Sequence, residues 1–219
     1  MIQIFESQPL PFNRSEAQRY ALARPGYSSD RLDQLAPEAF KHVHGRVCYD
    51  IFPVQSAGDS MMDLGFCTAA SRSLCTLLHN STRCVLFAAT IGLDFDRYAS
   101  RISRISQTDG WLMHAIGTER IESLCDAFEA YLRQDGFHLT PRFSPGYGDV
   151  PLSLQNDIFR VLDCPRKIGL TLNESLLMSP SKSVTAILGI TDSELFPAPA
   201  CVSCSMTDCA YRSSSHETE

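Results

Sequence analysis

Residues 142–159 read RFSPGYGDVPLSLQNDIF, and residues 168–190 read IGLTLNESLLMSPSKSVTAILGI. The first stretch sets an arginine three residues before a Pro-Gly-Tyr-Gly turn and then turns to apolar residues at helical spacing. The second ends in SVTAILGI (183–190), whose β-branched and small residues predict a strand. Gly146 and Gly148 have no side chain, so a ligand can lie directly against the backbone there. Arg142 offers a planar fork of donors suited to a carboxylate, and Tyr147 offers a ring face and a hydroxyl. Such a set suits a small, flat, zwitterionic ligand better than a metal or a nucleic acid. Pro-Gly is also an ordinary turn signal, and by itself it specifies backbone shape rather than chemistry.

Outward from this region, helices and strands mix without a regular βαβ rhythm, which predicts an α+β fold. Leu152 to Leu162 reads as a helix with Pro151 near its start, and GLTL after Lys167 reads as strand-like. CVLFAATI (84–91) reads as a buried strand, and RVCYDIFPV (46–54) as another. WLMHAIGTERIESLCDAFEAYLRQ (111–134) is the clearest helix. Its residues Leu112, Ile116, Ile121, Leu124, Cys125, Phe128 and Tyr131 form one apolar stripe, with Thr108 and Asp109 placed to cap it. His114 lies close to that stripe and reads as a core histidine. Asp94 to Ile105 is predicted helical, Leu64 to Leu78 carries small and apolar residues at helical spacing, and Ser15 opens a short capped helix. A further helix from Asp30 to Phe40 is expected to break at Pro37.

The chain has 219 residues, enough for one domain with a substantial core. Its composition predicts a single domain over residues 1–196 and a cysteine-containing tail over 197–219. A net charge of −6 disfavours a nucleic-acid partner, which would require a concentrated basic surface. No apolar run reaches membrane-spanning length, and MIQIFESQPLPFNRSE lacks the basic start and apolar core of a signal peptide, so a cytoplasmic protein is expected. An odd number of cysteines, nine, argues against a disulfide scaffold. Cys48, Cys67, Cys75, Cys84, Cys125 and Cys164 are scattered and read as small buried hydrophobes. Cys201, Cys204 and Cys209 are grouped. At their spacing they can hold three corners of an iron–sulfur cluster or a zinc ion, or serve as redox thiols.

RFSPGYGD resembles the Arg-x-x-Pro-Gly-Tyr signature of the S-adenosylmethionine-binding reactivation domain of cobalamin-dependent methionine synthase. MSPSKSVTAILGI (178–190) is similar to that family's Met-x-Pro-x-x-Ser-Val stretch, and FAATIGLDFDRY (87–98) to its Phe-Ala-x-Thr-x-Gly segment. The three fall in the family's order over about residues 83–190. The resemblance implies a twisted antiparallel sheet flanked by helices. It also implies reductive reactivation, in which the methyl group of S-adenosylmethionine traps a freshly reduced cobalamin. Carried over by motif, Arg142 would bind the ligand carboxylate, the backbone around Pro145 and Gly146 would receive the adenine or ribose, and Tyr147 would pack against the ligand. The family's acidic partner for the ligand amino group has no clear match, and Asp50, Asp59 and Asp63 are its candidates. No cobalamin-binding Asp-x-His-x-x-Gly motif occurs in the sequence. The chain is therefore expected to act as a stand-alone factor on cobalamin carried by methionine synthase or a related corrinoid protein, with an electron donor as a further partner. Two alternatives stay open: an S-adenosylmethionine-sensing docking module for a corrinoid protein, and a reactivator of another corrinoid methyltransferase system.

Overall fold

The two longest strands are buried along most of their length because both of their faces are covered. In a computed structural model, which describes residues 1–21 and 29–192, the elements run in this order. First come β1 (Gln3–Glu6), α1 (Arg14–Ala21), α2 (Ser29–Phe40) and β2 (Arg46–Pro53). A small meander follows, β3 (Gln55–Gly58), β4 (Met61–Asp63) and β5 (Thr68–Ala70), then α3 (Arg72–Leu77) and β6 (Ser81–Thr90). Next are α4 (Leu93–Ile105), α5 (Gln107–Gln134), β7 (His138–Leu139), α6 (Leu154–Leu162) and α7 (Cys164–Ile168). The last are β8 (Thr171–Leu172), β9 (Met178–Ser179) and β10 (Ser183–Thr191).

The main sheet has five antiparallel strands in the order β1-β2-β6-β10-β7. Its register sets Phe87 between Tyr49 of β2 and Ala186 of β10. Successive side chains of a strand alternate faces. Val85, Phe87 and Ala89 therefore pack with Val47, Ala186 and Leu188 against Leu112, Ile116 and Phe128 of α5. Cys84, Leu86 and Ala88 pack on the other face with Ile187, against Leu74 of α3, Leu154, Ile158 and Leu162 of α6, and Cys164. Burying a side chain of this size contributes about 1.5–3 kcal/mol. This is the expected α+β class: the main sheet lies between two layers, and β3-β4-β5 and β8-β9 form two further small sheets. No helix among the described residues is long and apolar enough to cross a membrane.

Several local expectations need correction. Leu64 to Leu78 is not one helix: β5 occupies Thr68–Ala70, and only Arg72–Leu77 is helical. A segment as short as Thr-Ala-Ala shows no period by which strand and helix can be told apart. Pro37 lies inside an unbroken α2, held there by burial of Leu32, Leu35, Ala36 and Ala39 in the core under α5. The cap of α1 is Asn13, whose side chain accepts from the Glu16 amide, and the cap of α5 is Ser106, which accepts from the Asp109 amide. β1 and β7 were not foreseen. Each is short and exists through its pairing, β1 with β2 and β7 with the end of β10. Cys48, Cys84, Cys125 and Cys164 are buried as expected, while Cys67 and Cys75 are half-buried. Cys201, Cys204 and Cys209, like the boundary expected after residue 196, lie outside the described residues. Among the described residues no group of His, Cys, Asp and Glu is arranged to hold a metal ion.

Candidate functional site

Phe143 exchanges both backbone hydrogen bonds with Ile187, which lays the chain leading into PGYG alongside β10. The Gly146 amide then donates to the Val150 carbonyl, and the Val150 amide donates to the Tyr147 carbonyl. Gly146 and Gly148 adopt φ of 91° and 57°, a region that side chains resist. A Cβ on Gly148 would stand 2.6 Å from Ser73 Oγ, so the turn is pressed against α3. Asp149 fixes it there by accepting from Ser71 Oγ, the Arg72 amide and the Ser73 amide. These donors, Ser71 first, hold the Asp149 carboxyl well below the ordinary carboxylate range. Hydrogen bonding to the charged form is the physical cause. The stability that this clasp contributes is present above the ordinary carboxylate pKa and is lost as pH falls toward the depressed value.

Beside the turn is a cavity of about 530 Å³ lined by Arg142, Pro145, Tyr147, Gln155, Met178 and Thr185, with Glu122 on its wall. It exists because the outer edge of β10 is incompletely covered. β7 pairs only with Ile190 and Thr191, and Phe143 pairs with Ile187, so among the described residues the edge at Ser183–Thr185 has no strand beyond it. By the two-residue period of a strand, the backbone of Thr185 faces the same way as that of Ile187, toward this open edge.

Arg142 anchors the charged wall. One terminal nitrogen donates to Asp126 Oδ1 at 2.7 Å and Glu129 Oε1 at 2.5 Å, and the other to Glu122 Oε2 at 2.6 Å. Burial by itself would lower the guanidinium pKa, but the negative groups around it, Asp126 and Glu129 among them, outweigh burial and hold it above its ordinary value. Arg133 also pairs with Glu129. The three carboxylates thus face two guanidiniums, leaving one negative charge in excess. The opposite wall includes Gln155 and Thr185, whose Oε1 and Oγ1 are shielded from water and have no hydrogen-bond partner among the described residues. Gln155 is 5% and Thr185 2% exposed. A buried oxygen left without a partner is unfavourable by about 1–3 kcal/mol, so a side-chain rotation that turns either oxygen toward the cavity would let a ligand or water complete it.

Of the residues singled out in sequence, Arg142, Pro145 and Tyr147 line this cavity together, with Tyr147 68% exposed at its rim. Gly146 shapes the turn but is not among the lining residues; its missing side chain would point toward Leu152. Asp50, Asp59 and Asp63 do not line it, and Asp50 pairs instead with the N-terminal amine. The acidic residue on its wall is Glu122, which sequence reasoning missed. A signal existed: Glu122, Asp126 and Glu129 recur at four and three residues on one helix face. Gln155 carried a fainter one, as a polar residue at an inward position of an amphipathic helix. His114 sits beside the apolar stripe and not on it: much of its surface is exposed rather than part of the core, while Nδ1 lies against the buried Lys182 ammonium.

No family model matches the chain, and no curated protein matches it. Among solved structures, it is similar to the crystal structure of the MetH reactivation domain bound to AdoHcy. The TM-score is 0.63 at 15% sequence identity, over 90% of this chain and 80% of that one. At that identity the likeness establishes the fold, an arrangement shared with a reactivation domain.

Proposed function

We propose that the chain binds S-adenosylmethionine in the cavity beside Pro145 and Tyr147. We further propose that it serves the reductive reactivation of cobalamin-dependent methionine synthase, acting on a cobalamin carried by a separate protein. Support comes first from the cavity's combination of a charged wall and two unpartnered buried oxygens. Its volume of about 530 Å³ lies within the range of small-molecule sites. The likeness in fold to a domain that binds AdoHcy, and the three motif resemblances, point the same way.

Each end of the ligand finds complementary chemistry. The excess negative charge around Glu122, Asp126 and Glu129 favours the cationic sulfonium and amino groups. The ligand carboxylate competes for the Arg142 guanidinium, and the amino group takes up Glu122 in exchange. The adenine has donors and acceptors in one plane, suited to the open backbone edge at Thr185 and to Gln155 Oε1. Tyr147 packs over it from the rim. When bound, the ligand supplies a methyl group on a positively charged sulfur. The protein's residues hold that group in place and keep water from it, which is catalysis by positioning. The same acidic wall favours S-adenosylmethionine over the uncharged thioether that remains after methyl transfer, which assists product release.

The experiment is methyl transfer from methyl-labelled S-adenosylmethionine, with a chemical reductant, to cobalamin-loaded methionine synthase lacking its own reactivation domain. Label on the corrinoid that depends on this protein is the expected result. Label no higher than in the reductant control would contradict the proposal. Binding without transfer would favour the sensing module instead.

A further inference from the structure

A second cavity, of about 520 Å³, is lined by Asp96, Ser100 and Arg104 of α4, by Gly110 and His114 of α5, and by Ser181 and Lys182. His114, Thr118 and Glu122 succeed one another at four-residue steps on α5, so this cavity and the first lie along one face of that helix, about 12 Å apart. Lys182 is only 8% exposed. Its side chain crosses α5 at Gly117, where a Cβ would stand 3.0 Å from Lys182 Cε. The ammonium donates to Thr118 Oγ1 at 2.7 Å and contacts His114 Nδ1 at 2.9 Å.

No carboxylate lies within ion-pair distance of Lys182 among the described residues. The acid lining the cavity, Asp96, already accepts from the Ser181 amide at 2.6 Å and the Ser181 hydroxyl at 2.9 Å. Arg104, exposed at the last turn of α4, likewise forms no ion pair among the described residues. Burial pushes the Lys182 ammonium down to about 8, and burial first, then the charge on Lys182, lowers His114. Near neutrality the cavity therefore presents two cations, Lys182 and Arg104, against the one engaged carboxylate of Asp96. A buried cation without a counter-ion is unfavourable unless an anion completes it. The space is far larger than a simple ion needs, and Phe95 and Ala99 supply apolar wall for an organic body.

We propose that this cavity is an oxyanion site, taking the phosphate or carboxylate end of a small anionic ligand on Lys182 and Arg104. It is separate from the S-adenosylmethionine site and does not rest on that function. The test is titration of the whole chain with inorganic phosphate and, separately, with acetate in chloride buffer, followed by calorimetry and melting temperature. Phosphate or acetate should bind wild type near pH 7 and raise its melting temperature. Preference between the two identifies which kind of ligand the site takes. Lys182→Met should weaken binding at least tenfold, and Arg104→Ala, an exposed change that leaves the core intact, should weaken it less. Acetate keeps its charge across the range, so its binding should weaken as pH rises through about 8 and Lys182 loses its proton. Arg142→Ala should leave the anion effect in place. The proposal is overturned if neither anion binds wild type, if Lys182→Met binds them equally, or if the Arg142 variant loses them.

Discussion

Replacing Arg142 with alanine is expected to weaken S-adenosylmethionine binding by about ten- to a hundredfold, and to destabilise the free protein as well. The first effect is the loss of a charge-assisted contact to the ligand carboxylate, which is about 1.5–3 kcal/mol. The second follows from geometry. Arg142 is the common partner of Glu122, Asp126 and Glu129, and without it these three carboxylates repel one another on one face of α5. Glu129 is the most buried of them, at 10% side-chain exposure, but keeps Arg133 at 3.2 Å. The stability loss should therefore fall below the full figure for breaking a buried pair, at about 1–3 kcal/mol. Glu122→Gln separates the effects. It removes a charge from a side chain that is 37% exposed, so the fold should hold while the preference for the cationic ligand shrinks. Calorimetry and denaturant melts read both quantities. Unchanged affinity in a folded Arg142→Ala protein would remove Arg142 from the site.

The Gln155→Leu, Thr185→Val double variant is expected to do the opposite to stability. Both replaced oxygens are buried and unpartnered among the described residues; valine has the shape of threonine, and leucine, though it branches one carbon earlier than glutamine, is apolar and of comparable size. Removing an unsatisfied buried polar atom can be neutral or stabilising. The free protein should therefore melt at the same denaturant concentration or higher. Binding should suffer, because each oxygen would otherwise gain a hydrogen bond from the ligand. At about 0.5–1.5 kcal/mol per bond, the pair should lower affinity by roughly five- to a hundred-and-fiftyfold. A variant that is less stable, with unchanged affinity, would mean that these oxygens serve the fold and not a ligand.

These two predictions rest on different parts of what the sequence made legible. The turn and its arginine could be read directly, because Pro-Gly-Tyr-Gly fixes backbone shape locally and Arg142 stands at a fixed distance from it. The long helix and the strands at 84–91 and 183–190 were legible for the same reason, since their periodicity or apolar runs are local. What could not be read was whatever depends on which segments meet. The three acids of α5 meet Arg142 only because Phe143 pairs with Ile187 and carries it to them, and of the three Glu122 lines the cavity. The cavity exists because β7 stops short, a fact about pairing and not about the residues of β10. Lys182 is one of three lysines in the sequence, but its burial beside His114 depends on Gly117 leaving room on α5.

The most direct measurement is calorimetric titration of the protein with S-adenosylmethionine and, in parallel, with S-adenosylhomocysteine. Saturable one-to-one binding of S-adenosylmethionine is predicted, tighter than that of S-adenosylhomocysteine, with the difference reduced in Glu122→Gln. No binding of S-adenosylmethionine up to about 1 mM, where a contact energy of about 4 kcal/mol would already register, would contradict the assignment of the cavity.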